Sequence, residues 1–288
     1  MGNSHVLIPH HRIRMKDTLD YQEAQITLSI SSGIIGWSFA LTQRLCGTPE
    51  KGPKPMISVL EQNRNLLEQL RRECSLDLLG VADMRGQGEM LAGFPENVRD
   101  SSPLAVVIGL RVSRAVLGTL EDGPNLLYFH HYRQINAQLD RAATTISAEI
   151  ERRGYSALPI PASQVIDWRK MAGQVSHKAI ACLAGMGWRG RNNLLVTPQL
   201  GAQVRLATIL TDLPLAPDHP LEADCGSCRR CVAVCPAKAI GETPAAFNLP
   251  ACYDKLNEFR KTRNIQQHIC GVCVKACSGP VSIALTGR

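Results

Sequence analysis

Aromatic residues are scarce in this sequence, with 5 Phe, 5 Tyr and 3 Trp among 288 residues. Packing therefore falls mainly to aliphatic side chains and alanine, and the 44% apolar content is enough for a normal buried core. A convincing export signal is also missing. The N-terminal region has no twin arginines and no good small-residue cleavage site, which argues against secretion. Its apolar run, residues 26–42, contains Ser, Gly and Thr and ends after seventeen residues, at the lower limit for a membrane span. These absences set aside a membrane protein and a secreted one, and point to a reducing cytosol. Internal repeats are absent too, outside the cysteine-rich segment.

Cysteine is what the chain has in excess. Eleven are present, at 46, 74, 182, 225, 228, 231, 235, 252, 270, 273 and 277, and eight of them crowd between 225 and 277. A small disulfide-bonded domain reaches a similar density, but this spacing is that of a metal site. Cys225-x2-Cys228-x2-Cys231-x3-Cys235-Pro236 reproduces the run in which three cysteines hold one [4Fe–4S] cubane and the fourth holds another. The tight loop curls three thiolates around one face. The fourth cysteine is expected to begin a helix and point away, with Pro236 suited to the helix start.

The second run is incomplete. Cys270-x2-Cys273-x3-Cys277 lacks its first member, because position 267 is Gln267. Cys252 can supply the missing ligand if its segment folds back. Crossed ligation then assigns Cys225, Cys228, Cys231 and Cys277 to one cluster, and Cys235, Cys252, Cys270 and Cys273 to the other. A pair of zinc sites is the competing reading, since zinc also takes four thiolates, but usually from separated C-x2-C pairs. Cys74 and Cys182 read as small buried hydrophobes on apolar helix faces. The formal charge of +7 falls to about +3 if two clusters of about −2 are counted, so the basic surplus is weak evidence for a nucleic-acid partner.

A length of 288 residues suggests about two domains. Residues 1–55 read as an extension ending in a linker at 47–55, residues 56–216 as one domain and 217–288 as the cysteine domain, with Pro214, Pro217 and Pro220 at the boundary. Within 56–216, apolar periodicity predicts helices over 57–74, 135–150 and 176–186, the last capped by Ser176. Residues 78–82, 104–110 and 204–211 read as strands, and 155–161 as extended. Gly154 ends the middle helix. The alternation implies a layered α/β or α+β arrangement.

Upstream of the clusters lies Ala184-Gly-Met-Gly-Trp-Arg-Gly-Arg-Asn-Asn-Leu-Leu-Val-Thr-Pro, then Gly201 and the stretch from Val204 to Leu215. With the eight cysteines this resembles the epoxyqueuosine reductases and, more distantly, the reductive dehalogenases. The resemblance is specific from Gly173 to Cys277, fainter from Met56 to Ala172, and does not reach residues 1–55. It implies an α+β fold, with a nitroreductase-like corrinoid-binding domain followed by a two-cluster [4Fe–4S] ferredoxin-like domain. By the same resemblance, electrons would pass from a low-potential donor such as ferredoxin or flavodoxin through the clusters to a cobalamin cobalt. From there they would reach the substrate, a modified tRNA base or a small molecule.

The residues themselves show less. Gly185, Gly187, Gly190 and Gly201, around Trp188, would let backbone approach a large flat ligand. Arg189, Arg191, Asn192, Asn193 and Arg205 offer donors to it. A structural turn with solvated arginines is the plainer alternative. The family's acidic proton donor, in an Asp-Tyr-His segment, aligns with His130-His131-Tyr132, so His130 takes its place and Tyr132 and Tyr128 stand beside it. Half-buried residues at a helix start are the plainer reading of this segment, and His177 is a further candidate. Ser278, not proline, follows Cys277, and the C-terminal repeat domain of many relatives is not in this sequence, which implies a short paralogue with its own substrate. An electron carrier without catalysis and a non-catalytic corrinoid-binding protein are the competing functions.

Overall fold

The computed structural model describes residues 58–167 and 172–279. The expectations for residues 1–55, for Met56 and for Cys46 lie outside the described residues. The described residues fall in one compact unit.

Helix α1 (Val59–Glu73) starts where the Ser58 hydroxyl accepts from the Glu61 N–H at 3.2 Å, and it buries Leu67 and Leu70. Strand β1 (Leu78–Asp83), the short helix α2 (Glu96–Asp100), strand β2 (Leu104–Arg111) and the short helix α3 (Arg114–Gly118) follow. Next come the long helix α4 (Leu126–Glu151), strand β3 (Ala157–Ile160) and helix α5 (His177–Leu183). A small hairpin of β4 (Trp188–Arg189) and β5 (Leu195–Val196) leads into β6 (Val204–Thr211). The cysteine-rich segment carries α6 (Arg230–Ala233), α7 (Leu249–Thr262) and α8 (Val272–Ala276).

The main sheet runs β1-β2-β6-β3, with every pairing antiparallel. Side chains alternate across it with period two. Val106, Ile108, Ala207 and Ile209 face the core shared with α1 and α4, while Ala105, Val107, Leu206 and Leu210 face the core shared with α5. Covering both faces explains why β2 is buried from Leu104 to Leu110, a near-continuous apolar run. Truncating a fully buried residue such as Ile209 is expected to cost about 2–5 kcal/mol. The mixed helix-and-strand class is as expected from the sequence. Among the described residues no helix is long and apolar enough to cross a membrane.

Three local expectations are corrected. Helix α4 begins at Leu126, well before residue 135, because the Asn125 side chain accepts from the Tyr128 N–H at 2.8 Å and caps it there. Helix α5 stops at Leu183, and Gly185 at φ +65° turns the chain away; Ser176 sits at its N-cap position but makes no side-chain capping bond. Pro236 opens a turn and not a helix. The Lys238 N–H closes on Cys235 O at 3.0 Å, Lys238 itself lies at φ +49°, and the Ala239 N–H points at Cys235 Sγ at 3.3 Å.

Candidate functional site

The eight clustered cysteines come from three short pieces of chain. Cys225 and Cys228 lie in the loop before α6, Cys231 lies in α6 and Cys235 follows it. Cys252 sits in the first turn of α7, whose start is set by Asn248 accepting from the Ala251 N–H at 3.0 Å. Cys270 precedes α8, Cys273 lies in it and Cys277 ends it, after Gly271 at φ +86° has turned the chain. Among the described residues no three Cys, His, Asp or Glu side chains close on one point as ligands of a single ion would.

The thiols fall into two electrostatic neighbourhoods. Cys231 is raised by burial and then by the charges of Cys277, Cys225 and Cys228. Cys270 is pushed up to about 11, first by burial, with Cys252 and Cys235 adding to it. Cys273 is raised further by deep burial and then chiefly by Cys270, Cys252 and Cys235. The exposed Cys228 thiol goes the other way, lowered by its hydrogen bond from Arg230. Cys225 and Cys277 pack against Trp188, Val196 and Ala202. Cys74 and Cys182 stand apart, half-buried and raised by burial.

The second group forms one wall of a cleft. Cys235, Cys252, Cys270 and Cys273 line a cavity of about 260 Å³ together with Tyr128, Tyr132, Arg205, Lys178 and Asn192. A second cavity of about 560 Å³ shares Lys178, Asn193, Leu194 and Arg205 with it, and adds His177 and Arg189. Arg205 on β6 lies beneath α4. Its Nη2 donates to the Tyr132 phenol oxygen at 3.0 Å, its Nε donates to Asn136 Oδ1 at 3.1 Å, and its guanidinium carbon stands 4.3 Å from the Tyr132 ring centre. The Tyr132 hydroxyl also bonds Ser163 Oγ at 2.8 Å. Tyr128 presses its ring on Gly271, where an added Cβ would come within 2.8 Å of it.

The structure separates the two residues expected to share catalysis. Tyr132 lines the cleft, whereas His130 is exposed and borders a different depression with Arg133, Gln134 and Asp140. Both are inside α4, where two residues of separation turns side chains through about 200°; Tyr128 and Tyr132, four apart, share a face. His131 is occupied elsewhere, its Nε2 accepting from the Ser113 N–H at 3.0 Å. His177 is held on both sides, Nδ1 to Thr208 Oγ1 at 2.8 Å and Nε2 to Pro161 O at 3.0 Å. A carbonyl only accepts, so Nε2 carries the hydrogen and Nδ1 takes one from the threonine. Burial lowers this histidine to about 4.

The glycine-rich turn is packed closely against other protein segments. A Cβ on Gly187 would meet Val196 O at 2.1 Å, on Gly185 His219 O at 2.3 Å, and on Gly201 the Gly279 nitrogen at 2.1 Å. On Gly190 it would meet Val196 Cγ2 at 2.5 Å. These glycines admit neighbouring protein in the Cβ direction and present no open approach surface there. Arg191 is also spent on protein: it donates to the carbonyls of Gly226 (2.8 Å), Cys228 (3.0 Å) and Glu242 (2.6 Å), pinning the first cysteine loop. Asn192 does face the cleft, buried, with its Nδ2 lacking a partner, and the buried Trp188 Nε1 also lacks one. Lys178 was missed in the sequence. Its Nζ donates to Asn193 O at 2.8 Å, and burial, then the Arg189 charge, lowers it to about 8. Only its place beside His177 hinted at the cleft.

No protein-family model matches the chain. Curated relatives do. It is 35% identical over 114 residues to an epoxyqueuosine reductase of Listeria monocytogenes, covering 36% of this chain and 30% of that one. An epoxyqueuosine reductase of Aliivibrio fischeri is 28% identical over 195 residues, covering 65% of this chain and 45% of the other. A tetrachloroethene reductive dehalogenase of Desulfitobacterium hafniense matches over 84% of this chain and 43% of its own length, at 24% identity. The chain thus spans less than half the length of these curated relatives. Among solved structures, a reductive dehalogenase described for B12-dependent dehalogenation superposes with a TM-score of 0.62 at 20% identity, covering 84% of this chain and 35% of that one. The epoxyqueuosine reductase of Streptococcus thermophilus gives 0.51 at 18% identity, over 76% of this chain and 68% of the other. By sequence the chain is similar to epoxyqueuosine reductases over part of its length, and its fold is similar to that of an epoxyqueuosine reductase and of a reductive dehalogenase.

Proposed function

We propose that this chain is an iron–sulfur, corrinoid-dependent reductase resembling epoxyqueuosine reductase, with two [4Fe–4S] clusters held by crossed ligation. Cys225, Cys228, Cys231 and Cys277 hold one cluster, and Cys235, Cys252, Cys270 and Cys273 the other. The observation that carries the reading is the shared cleft: the second thiol group forms one wall, and Tyr132 and Arg205 stand in the same cavity. The donor set fits. Most of these thiols are raised by burial and by one another, a cost that binding to iron removes, since metals take thiolates outright. The Ala239 N–H on Cys235 Sγ suits a charged sulfur. Asn192, with its unpartnered amide in the cleft, suits a corrinoid side-chain amide.

When bound, the clusters and corrinoid supply low-potential single electrons; the chain's own residues supply position and a proton. Tyr132 is the proton donor in this reading and His130 is not. The Arg205 guanidinium beside the phenol oxygen stabilises the charge left when the proton goes, and Ser163 fixes the hydroxyl's direction. The donor protein is a ferredoxin or flavodoxin, and the substrate a modified tRNA base or a smaller molecule with a reducible bond.

The test is anaerobic reconstitution followed by iron, sulfide and cobalt analysis, then single-turnover reduction of candidate substrates by chemically reduced protein. About eight irons per chain, with matching sulfide, are expected from two cubanes. Tyr132→Phe should slow turnover by roughly 10²–10⁴-fold, the worth of a positioned acid, and His130→Ala should change it little. Stoichiometric zinc without sulfide would sink the cluster assignment. Loaded protein that never turns over would leave an electron carrier.

A further inference from the structure

Four cations line the cleft; Lys255 is paired with Glu258 at 2.6 Å, whereas Lys178, Arg189 and Arg205 have no carboxylate partner among the described residues. Lys178 and Arg189 are held side by side by one residue: Asn193 accepts from Lys178 Nζ through its backbone oxygen at 2.8 Å, and from Arg189 Nη2 and Nε through Oδ1 at 2.6 and 2.9 Å. To do this Asn193 takes a left-handed backbone, φ +60°, unusual for a residue with a side chain. Arg205 is the third cation, and its partners are Asn136, Tyr132 and Ala162, all neutral. Among the described residues no ion pair involves any of the three, although ten are formed elsewhere. Among the described residues no Asp or Glu lines either cavity of the cleft. Like charges held side by side repel, and neutral oxygens position them without cancelling the charge; Lys178 and Arg205 are half-buried and Arg189 is at the exposed rim. The thiol wall of the cleft is one negative neighbour in the proposed reading, but no carboxylate among the described residues pairs with these three cations directly, which leaves their donors available to an anionic ligand.

We infer that Lys178, Arg189 and Arg205 form a receiving site for an anionic group, a carboxylate or phosphate, on the molecule that enters the cleft. The inference rests on the proposed reductase reading for the identity of the cleft and adds a charge class to its ligand. A planar guanidinium and an ammonium set side by side suit two oxygens of one anion. Lys178, lowered by burial and by Arg189, should become more firmly protonated once the anion is present. Two sources carry this chemistry: the substrate itself, or the phosphodiester in the tail of a corrinoid.

The test is isothermal titration of the reconstituted full chain at constant ionic strength. The probes are inorganic pyrophosphate, benzoate and the uncharged benzamide, with cobalamin and its phosphodiester-free counterpart cobinamide as a second arm. Pyrophosphate or benzoate should bind and benzamide should not. Arg189→Gln and Lys178→Met should each weaken the anion by about tenfold, Arg189→Lys should restore part of it, and Asn193→Gly, which keeps the backbone conformation but removes Oδ1, should fall between. If cobalamin outbinds cobinamide and the gap closes in the variants, the anion is the corrinoid's. If the two corrinoids bind alike and benzoate still binds the loaded protein, the anion is the substrate's. No anion binding by wild type, or equal binding by wild type and variants, would overturn the site. Iron and sulfide measured on the same samples judge the reductase reading separately: anion binding without clusters keeps the site and loses the reading.

Discussion

His177 should make the fold acid-sensitive in a defined window. Its ring is half-buried between Thr208 and Pro161, and desolvation lowers its proton affinity from 6.5 to about 4. A group whose folded pKa is depressed binds fewer protons when folded than when unfolded, so stability rises with pH across the gap. For this imidazole the full stability is present above pH 6.5 and is lost as pH falls toward 4. At about 1.4 kcal/mol per tenfold the loss is roughly 3 kcal/mol, against a total of about 5–15 kcal/mol for a typical domain. The assay is urea unfolding of loaded protein between pH 7.5 and 4, wild type beside His177→Gln, whose amide can still donate to Pro161 O. The variant should start less stable and lose about 3 kcal/mol less on acidification. Parallel curves would refute the neutral imidazole. The same placement means that His177 is no imidazolium donor near neutral pH, so turnover should show no titration from it between pH 5 and 8.

Other outcomes follow from single contacts. Cys252→Ser should remove about half of the iron, counting one of two cubanes, whereas Cys74→Ser should remove none; full iron in the first variant would reject Cys252 as a ligand. Gly201→Ala should lower stability by more than the roughly 1–2 kcal/mol of left-handed backbone alone, because the new methyl would sit 2.1 Å from the Gly279 nitrogen; an unchanged urea midpoint would contradict that packing. Asn125→Ala should cost about 1 kcal/mol through the lost cap of α4, measured in the same way.

How much was legible depended on the range of the interaction. The strands at 78–83, 104–111 and 204–211 could be read because both sheet faces demand apolar residues in a short run. The start of α4 could not. Residues 128–132 carry Tyr, Phe, His, His and Tyr, poor helix formers, and Asn125 has no capping-box partner to advertise it. Nine residues of missed helix left His130 and Tyr132 as neighbours at a helix start, when the real helix sends them to opposite sides. The glycines were visible, but a sequence does not say what lies across from a glycine, and here it is mostly the backbone of Val196, His219 and Gly279. Cysteine spacing was the most legible feature, because ligand reach within a short loop is local geometry. The Lys178–Asn193–Arg189 arrangement depends on a backbone conformation at Asn193 that no residue type announces.

The segment that carries the last cysteine is woven into the sheet domain. Cys277 O accepts from the Ala202 N–H at 3.0 Å, Gln203 Nε2 donates to Lys275 O at 3.1 Å, and Lys275 Nζ reaches Leu120 O at 2.5 Å. Cutting the polypeptide at Pro217 would therefore not yield two self-sufficient pieces. The cysteine half would lose the backbone partners that seat Cys277, and the sheet half would expose the turn before β6. By this geometry the cysteine-rich half is not a module that could be exchanged freely. A foreign one would have to bring a matching edge for Ala202 and a glycine facing Gly201.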